Sequence, residues 1–298
     1  MAQIFRGTDR SGSFRVSVTV STDLVEEARK IHDTTPLATA ALGRVLTGAG
    51  LMALDLKNNE DKLTVQFKGD GPAVQILATA YGDGSVKGYI ADPGIELPLT
   101  ADGKLDVGGS LGIGQLTVIK DMGLKEPYVG SIDLVSGEIA DDLTAYYYIS
   151  EQQNTSIALG VKIDEYGRTS CAGGMFIQML PDFDEGAVDA LEQMLGELPP
   201  LTSVIAETGD DADDVAARIF SSMPEEFAVR KIEEREMFWN CDCSRDRLEK
   251  ALISIGRDDL SEILEEDGEA ELTCQFCEKK YHFSGDDLRR LLKEIDSE

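Results

Sequence analysis

Two closely spaced pairs of cysteines near the C-terminal end constrain the fold of this chain more than any other feature. The sequence reads CDC at residues 241–243 and CQFC at residues 274–277, so four of its five cysteines fall in the last quarter. Cysteine pairs this close seldom arise without a chemical role. Four thiolates can complete the tetrahedral shell of a structural zinc ion. The sequence therefore predicts that one Zn²⁺ is bound by Cys241, Cys243, Cys274 and Cys277.

The segment around these cysteines, residues 231–298, has few large apolar side chains for its length. A unit of that size is marginally stable alone, and a structural metal is a common remedy. Ser244 can cap a helix after the first pair, a hairpin is expected around the second pair, and Ser284 can cap a last helix. We predict a small C-terminal zinc-binding domain at 231–298.

Residues 1–180 have the pattern of a larger mixed domain. FRVSVTV at 14–20 alternates apolar and polar residues, which predicts a strand with one buried face. A helix is expected to begin at Thr35 and Pro36, and its residues are apolar or small on nearly every side, which indicates a buried central helix. Short strands follow, separated by Gly, Asp, Asn and Pro. The predicted fold class is α+β, with a mainly antiparallel sheet around the buried helix.

Between these two domains the composition changes. Residues 181–230 contain 13 acidic residues and only two basic ones, together with small apolar patches at helical spacing. Patches this small cannot form an independent core, and acidic crowding opposes compaction. We interpret the segment as a helical, weakly anchored linker that is close to its unfolding threshold.

The net charge of −28 limits the partners of the chain. Such a chain is repelled by phosphate backbones and anionic lipids, so we expect neither nucleic acid nor a membrane as a partner. The N-terminus lacks the apolar region of a secretion signal, and no apolar run approaches the ~20 residues of a membrane span. We therefore expect a cytoplasmic protein, in which clustered cysteines more often bind metal or undergo redox chemistry than form structural disulfides.

The surroundings of the cysteines also suggest redox chemistry. Cys243 directly precedes a predicted helix, whose N-terminal dipole favours a thiolate, and thiolates are the form that oxidants attack. The nearest partner of each sulfur in sequence is the other cysteine of its own pair. Oxidation would remove the metal ligands, and a small domain held by metal would then unfold. The same four thiols can thus stabilise the domain and sense oxidants.

The sequence resembles a known family, the redox-regulated chaperones called heat shock protein thirty-three. The resemblance rests on CDCS and CQFC about 30 residues apart, with EEDGEAEL before the second pair and YHF after it. It extends over essentially the whole chain through ALGRVLTGAG, KLTVQFKGDGP, SGEIADDLTAYYYISEQ and AGGMFIQMLP.

This resemblance implies a holdase chaperone that works without ATP and is not an enzyme. It implies a zinc-bound, inactive reduced form and activation by oxidants, with zinc release and partial unfolding, through two disulfides, Cys241–Cys243 and Cys274–Cys277. It also implies unfolding proteins as clients, ATP-dependent refolding chaperones downstream, and a homodimer when active. We assign no client-binding residues.

Two other functions remain open from the residues alone. A thiol-disulfide oxidoreductase would use Cys274 and Cys277, although CQFC is not set in a thioredoxin-like βαβ pattern. A zinc-dependent nucleic-acid binder would have an unfavourable charge. Cys171 lies outside the motif and is interpreted as a small buried residue on a strand, and His282 is assigned a packing or surface role because four thiolates already complete the shell.

Overall fold

The computed structural model of the chain describes residues 1–295, so the last three residues of the predicted C-terminal domain, 296–298, lie outside the described part. The described chain forms two compact units, Met1–Asn240 and a smaller one that begins at Cys241. Strands and helices are mixed in both units, which agrees with the predicted α+β class.

The large unit is built on a ten-stranded sheet in the order β7-β6-β3-β4-β5-β10-β1-β2-β9-β8. Neighbouring strands are antiparallel except β10 and β5, which pair in parallel. The strands are β1 Ala2–Asp9, β2 Phe14–Val20, β3 Lys62–Gly69, β4 Gln75–Tyr81, β5 Ser85–Ile90, β6 Gly114–Asp121, β7 Tyr128–Asp133, β8 Thr155–Ile163, β9 Thr169–Met179 and β10 Val229–Trp239. The helices are α1 Thr22–His32, α2 Pro36–Ala53, α3 Val107–Leu111, α4 Ala140–Ile149, α5 Glu185–Glu197, α6 Leu201–Thr208 and α7 Ala212–Ile219, followed by 3₁₀ turns at Phe220–Ser222 and Glu225–Phe227.

Helix α2 is the predicted buried central helix. The Thr35 hydroxyl accepts a hydrogen bond from the Ala38 amide, and Pro36 takes the first helical position, as the sequence predicted. Among residues 1–295, α2 is the one helix long and apolar enough to cross a membrane by length and composition, and 89% of it is buried inside the protein. A helix in the core of a protein can have the same length and apolar composition as a membrane-spanning helix. Gly50 has no side chain, which lets Met237 of β10 lie directly against the helix.

A second apolar core lies on the face of β1, β2 and β9. Helices α5, α6 and α7 cover this face, and their Val204 and Val215 side chains are fully buried there. The helices themselves confirm the sequence prediction. The small apolar patches of these helices pack against a large apolar face of the sheet that the segment's own composition did not reveal.

Strands β1 and β10 were not predicted from the sequence. They pair antiparallel from Ala2 opposite Met237 to Asp9 opposite Val229. Residues 231–239, which the sequence had grouped with the zinc-binding domain, therefore lie in the sheet of the large unit. Trp239 at the end of β10 makes an edge-on contact with His32, at 6.0 Å between ring centroids.

Over residues 241–295 the small unit contains three helices and one hairpin. These elements are α8 Arg245–Ser254, α9 Arg257–Glu266, β11 Ala270–Thr273, β12 Lys280–Phe283 and α10 Gly285–Ile295. Ser244 caps α8 by accepting a hydrogen bond from the Arg247 amide, as predicted. Within the described part of this unit, six side chains form the buried core: Leu252, Leu260, Tyr281, Phe283, Leu288 and Leu291.

Candidate metal site in the C-terminal unit

Four cysteine sulfurs converge in the small unit from two separate segments. Cys241 and Cys243 lie in the extended segment before α8, and Cys274 and Cys277 lie in the turn between β11 and β12. The four sulfur atoms all lie within 4.8 Å of one another. The Cys241 and Cys274 sulfurs are 3.7 Å apart, and those of Cys243 and Cys277 are 3.4 Å apart.

This donor set fits a tetrahedral zinc ion. Zn–S bonds of about 2.3 Å place neighbouring sulfurs of a tetrahedron about 3.8 Å apart, close to both distances between the segments. All four cysteines are free thiols, half-buried or buried. Four soft sulfur ligands and no other donor type in the cluster favour a closed structural site over a catalytic one.

The turn between β11 and β12 holds the second pair in place through its backbone. The Cys277 and Glu278 amides both donate to the Cys274 carbonyl, and the Cys274 amide donates to the Lys279 carbonyl. Glu278 adopts a left-handed conformation at φ 58°, which closes the turn. The Lys279 amide donates to the Cys277 sulfur. A tight turn of this kind keeps both sulfurs on one side.

Tyr281 is a site residue that sequence reasoning missed. It lies on β12, and its hydroxyl is 3.2 Å from the Cys243 sulfur and 3.2 Å from the Cys243 carbonyl oxygen. Its ring belongs to the buried core, so the hydroxyl is carried to the sulfur by a packed side chain. The available signal was its position four residues after Cys277, on the strand that leaves the turn.

The thiols differ in their tendency to ionise. Burial raises the pKa of Cys241 and of Cys277. Burial also opposes ionisation of Cys243, but hydrogen bonds from Tyr281 and from the other cysteines outweigh it and lower the pKa of that thiol. Among these three thiols, Cys243 is the one whose surroundings favour the thiolate.

Three of the basic residues near the cysteines pair with carboxylates. Arg247 contacts Asp242, Lys280 donates to Glu271 at 2.7 Å, and Arg245 contacts Asp287. These pairs are partly or fully exposed. The charges of these three cations are therefore balanced in part by neighbouring carboxylates.

Cys171 and His282 lie outside the metal cluster. Cys171 is buried on β9, its sulfur donates weakly to the Thr202 carbonyl at 3.5 Å, and burial raises its pKa. This confirms a buried residue on a strand. His282 is exposed on β12, with its Nε2 atom 3.5 Å from a carboxylate oxygen of Glu269.

Comparison with known proteins identifies the family. The family model described as Hsp33 protein matches residues 2–284. The chain belongs to the Hsp33 family.

Curated relatives of this Hsp33 chain are named 33 kDa chaperonin. One from Clostridium perfringens strain 13 is 46% identical over 294 residues, which is 98% of this chain and 91% of the relative. One from Desulforamulus reducens is 43% identical over 293 residues, which is 98% of this chain and 98% of the relative. The crystal structure of the Hsp33 homologue from Thermotoga maritima matches with a TM-score of 0.90 at 34% identity, over 99% of both chains.

Family membership gives this Hsp33 chain a chaperone role, which confirms the resemblance identified from the sequence. Its relatives are named for a chaperone and not for an enzyme. Binding of client proteins follows from that role.

Proposed function

We propose that this chain is a redox-regulated holdase that works without ATP, and that its reduced form holds one Zn²⁺ and is inactive. The observation that carries the proposal is the convergence of four sulfurs within 4.8 Å in a unit whose core contains few side chains. The proposed ligands are Cys241, Cys243, Cys274 and Cys277. When bound, the metal cross-links the segment before α8 to the β11–β12 turn.

Such a cross-link supplies much of the stability of the small unit. Six buried apolar side chains among residues 241–295 are few for a unit of this size. Domains this small commonly need a metal or disulfides to remain folded. Metal binding is then coupled to folding, so that loss of the ligands unfolds the unit.

Oxidation removes the ligands in a balanced reaction. Two thiols and one molecule of hydrogen peroxide give one disulfide and two molecules of water. We propose the pairs Cys241–Cys243 and Cys274–Cys277, as the family resemblance implies. In the folded unit, sulfurs from different segments also lie close together, at 3.7 Å and 3.4 Å. Partners that are adjacent in sequence, however, stay close when the unit loses its structure, and this supports pairing within each segment.

The proposed switch exposes an apolar face of the large unit. We propose residues 1–180 as the core domain, 181–230 as the linker and 231–298 as the switch domain, whose first residues, 231–239, form a strand in the sheet of the large unit. Helices α5–α7 of the linker cover Phe14, Val18 and Met175, all fully buried beneath them. Loss of structure in a linker with 13 acidic and two basic residues would expose this face to unfolding clients.

The partners follow from the same scheme. We propose that clients bind the uncovered apolar surface, that the active form is a homodimer, and that ATP-dependent chaperones later refold the released clients. The net charge of −28 keeps such a protein soluble while apolar surface is exposed, and it disfavours nucleic acids and anionic membranes. We place the protein in the cytoplasm, where the thiols are kept reduced.

The proposal is tested on the reduced, zinc-loaded full chain treated with peroxide at a mildly raised temperature. We expect one zinc ion per chain to appear in solution as four thiols are lost, and peptide mapping to find the two proposed disulfides with Cys171 unmodified. Retention of zinc after loss of the four thiols would contradict the switch. Turnover of a disulfide substrate by Cys274 and Cys277 would favour the oxidoreductase alternative.

A further inference from the structure

The hydroxyl of Tyr281 is placed on one particular sulfur of the cluster. It lies 3.2 Å from the Cys243 sulfur and 3.2 Å from the carbonyl oxygen of the same residue. A single hydroxyl proton can be donated to one of these atoms at a time. When the sulfur carries a thiolate charge, it becomes the stronger acceptor, because hydrogen bonds to charged acceptors are about twice as strong as neutral ones.

Apart from the thiols of the cluster, the other donors described at the site are backbone amides. The Cys241 sulfur accepts from the Cys243 backbone amide, and the Cys277 sulfur accepts from the Lys279 backbone amide. The positions of these amides are set by the backbone and do not depend on the side chain of the residue that carries them. The donor at Cys243 is a side-chain hydroxyl, so a single substitution can remove it while the backbone of the site is kept.

The ring of Tyr281 is anchored on both sides of the hairpin. Tyr281 pairs with Leu272 across β11 and β12, only 8% of its surface is exposed, and the Lys279 ammonium lies 5.0 Å from its ring centroid. A side chain held this firmly delivers its hydroxyl at a defined position. The contact with the sulfur is therefore built into the core of the unit.

We propose that Tyr281 is a positioning residue of the metal site, which holds the Cys243 sulfur toward the metal and slows its reaction with peroxide. This inference rests on the proposed zinc-dependent switch. Donors to metal-bound ligands fix their orientation, and their loss commonly weakens metal binding about 10- to 100-fold. A hydrogen bond also draws electron density from the sulfur lone pair, which makes the sulfur a poorer nucleophile.

The reaction that Tyr281 slows is the first oxidation step. The Cys243 sulfur attacks one oxygen of peroxide, an S–O bond forms, the O–O bond breaks, and the departing hydroxide takes up a proton to become water. The resulting sulfenic acid is attacked by a second thiol, an S–S bond forms and water leaves. In the metal-loaded form the ligands are already deprotonated, so removal of the hydroxyl acts through nucleophilicity and orientation.

The first test compares Tyr281→Phe with the wild type, using Tyr166→Phe as the matched control because Tyr166 is 73% exposed and lies in the large unit. We expect zinc affinity, measured by competition with a chelator, to fall about tenfold in Tyr281→Phe and to stay unchanged in the control. In cobalt-substituted chains, the sulfur-to-cobalt absorption band should move to longer wavelength in Tyr281→Phe alone.

The second test follows oxidation residue by residue. Samples of the zinc-loaded chains are quenched at intervals after peroxide addition, alkylated and mapped by mass spectrometry. Cys243 should be modified several-fold faster in Tyr281→Phe than in the wild type. The ring is retained in this variant, and circular dichroism of the metal-loaded form checks its fold. A further measurement needs no variant. In the cadmium-substituted wild type, the Tyr281 hydroxyl proton should exchange slowly with water, because it is held in the hydrogen bond to the Cys243 sulfur.

The outcomes separate this inference from the function on which it rests. Equal zinc affinity, an unshifted cobalt band and equal oxidation rates would overturn the role of Tyr281 while the wild type still binds one metal and is activated by oxidation. A wild-type chain that binds no zinc or cobalt at the four cysteines would overturn both.

Discussion

Truncation of Ile205 to alanine should loosen the linker helices without touching the cysteines. Ile205 lies on α6, is 1% exposed, and its Cδ1 atom packs directly over Gly173 of β9. The substitution removes three carbon atoms from a buried contact. Each buried methylene contributes about 0.8 kcal/mol, and the cavity left behind adds to the loss, so we expect about 3 kcal/mol. A loss of about 3 kcal/mol should raise the population of the state in which α6 is open about 100-fold relative to the wild type.

Hydrogen exchange of the backbone amides measures this opening in the reduced, metal-loaded chain. We expect the amides of α6 to exchange about 100-fold faster in Ile205→Ala than in the wild type. The matched control is Ile232→Ala on β10, because Ile232 is 59% exposed and its truncation should change stability by less than about 0.5 kcal/mol. If the linker covers the client-binding face, the reduced Ile205→Ala chain should also suppress client aggregation in part.

Two results would refute this reasoning. Unchanged exchange in α6 would show that Ile205 does not hold the linker on the sheet. Faster exchange in α6 without any gain of holdase activity in the reduced chain would show that the face beneath the linker is not the surface that binds clients.

Three further perturbations give distinct outcomes. Cys274→Ser should abolish stoichiometric metal binding and the helical circular dichroism of the small unit, whereas Cys171→Ser should retain one metal per chain, as measured by metal analysis. Treatment of the wild type with a strong chelator should reproduce the Cys274→Ser spectrum, and no change would contradict the metal site. Hydrogen bonds from Arg29 lower the pKa of Glu26 from 4.5 to about 2, so the stabilisation is present above pH 4.5 and is lost as the pH falls through 2. Glu26→Gln should therefore cost about 1–2 kcal/mol at pH 7 in denaturant unfolding, with the difference from the wild type gone near pH 2.

The parts of the fold that follow local rules could be predicted from the sequence. The start of α2 at Thr35 and Pro36 and the cap of α8 at Ser244 depend on residues within one helical turn, and both are where the sequence predicts them. Strand β2 was recognisable because apolar side chains alternate along it. The prediction of a single buried face was incomplete, since Ser17 and Thr19 on the other face are buried as well.

The parts that depend on distant partners could not be predicted. Strand β10 is rich in charged residues and mostly exposed, so it has no apolar alternation, and its ladder forms only because β1 supplies a partner more than 200 residues away. The packing of α6 and α7 was underestimated for the same reason, since the apolar face that buries them belongs to β2 and β9.

Some residues of the candidate site could be predicted from the sequence and others could not, for the same reason. The four cysteines were recognisable from spacing alone, because metal sites need several ligands and cysteine pairs supply them. Tyr281 was not, because a tyrosine on a short strand most often only packs, and its contact with Cys243 depends on how the hairpin lies against a segment some 38 residues earlier.

The central claim is most directly tested by light scattering from a heat-unfolding client protein in the presence of this chain. The account predicts that the reduced, zinc-loaded form leaves aggregation unchanged, that the peroxide-treated form suppresses it, and that a thiol reductant abolishes the suppression. Equal suppression by the reduced and oxidised forms would contradict the redox switch and leave a chaperone with a purely structural metal site.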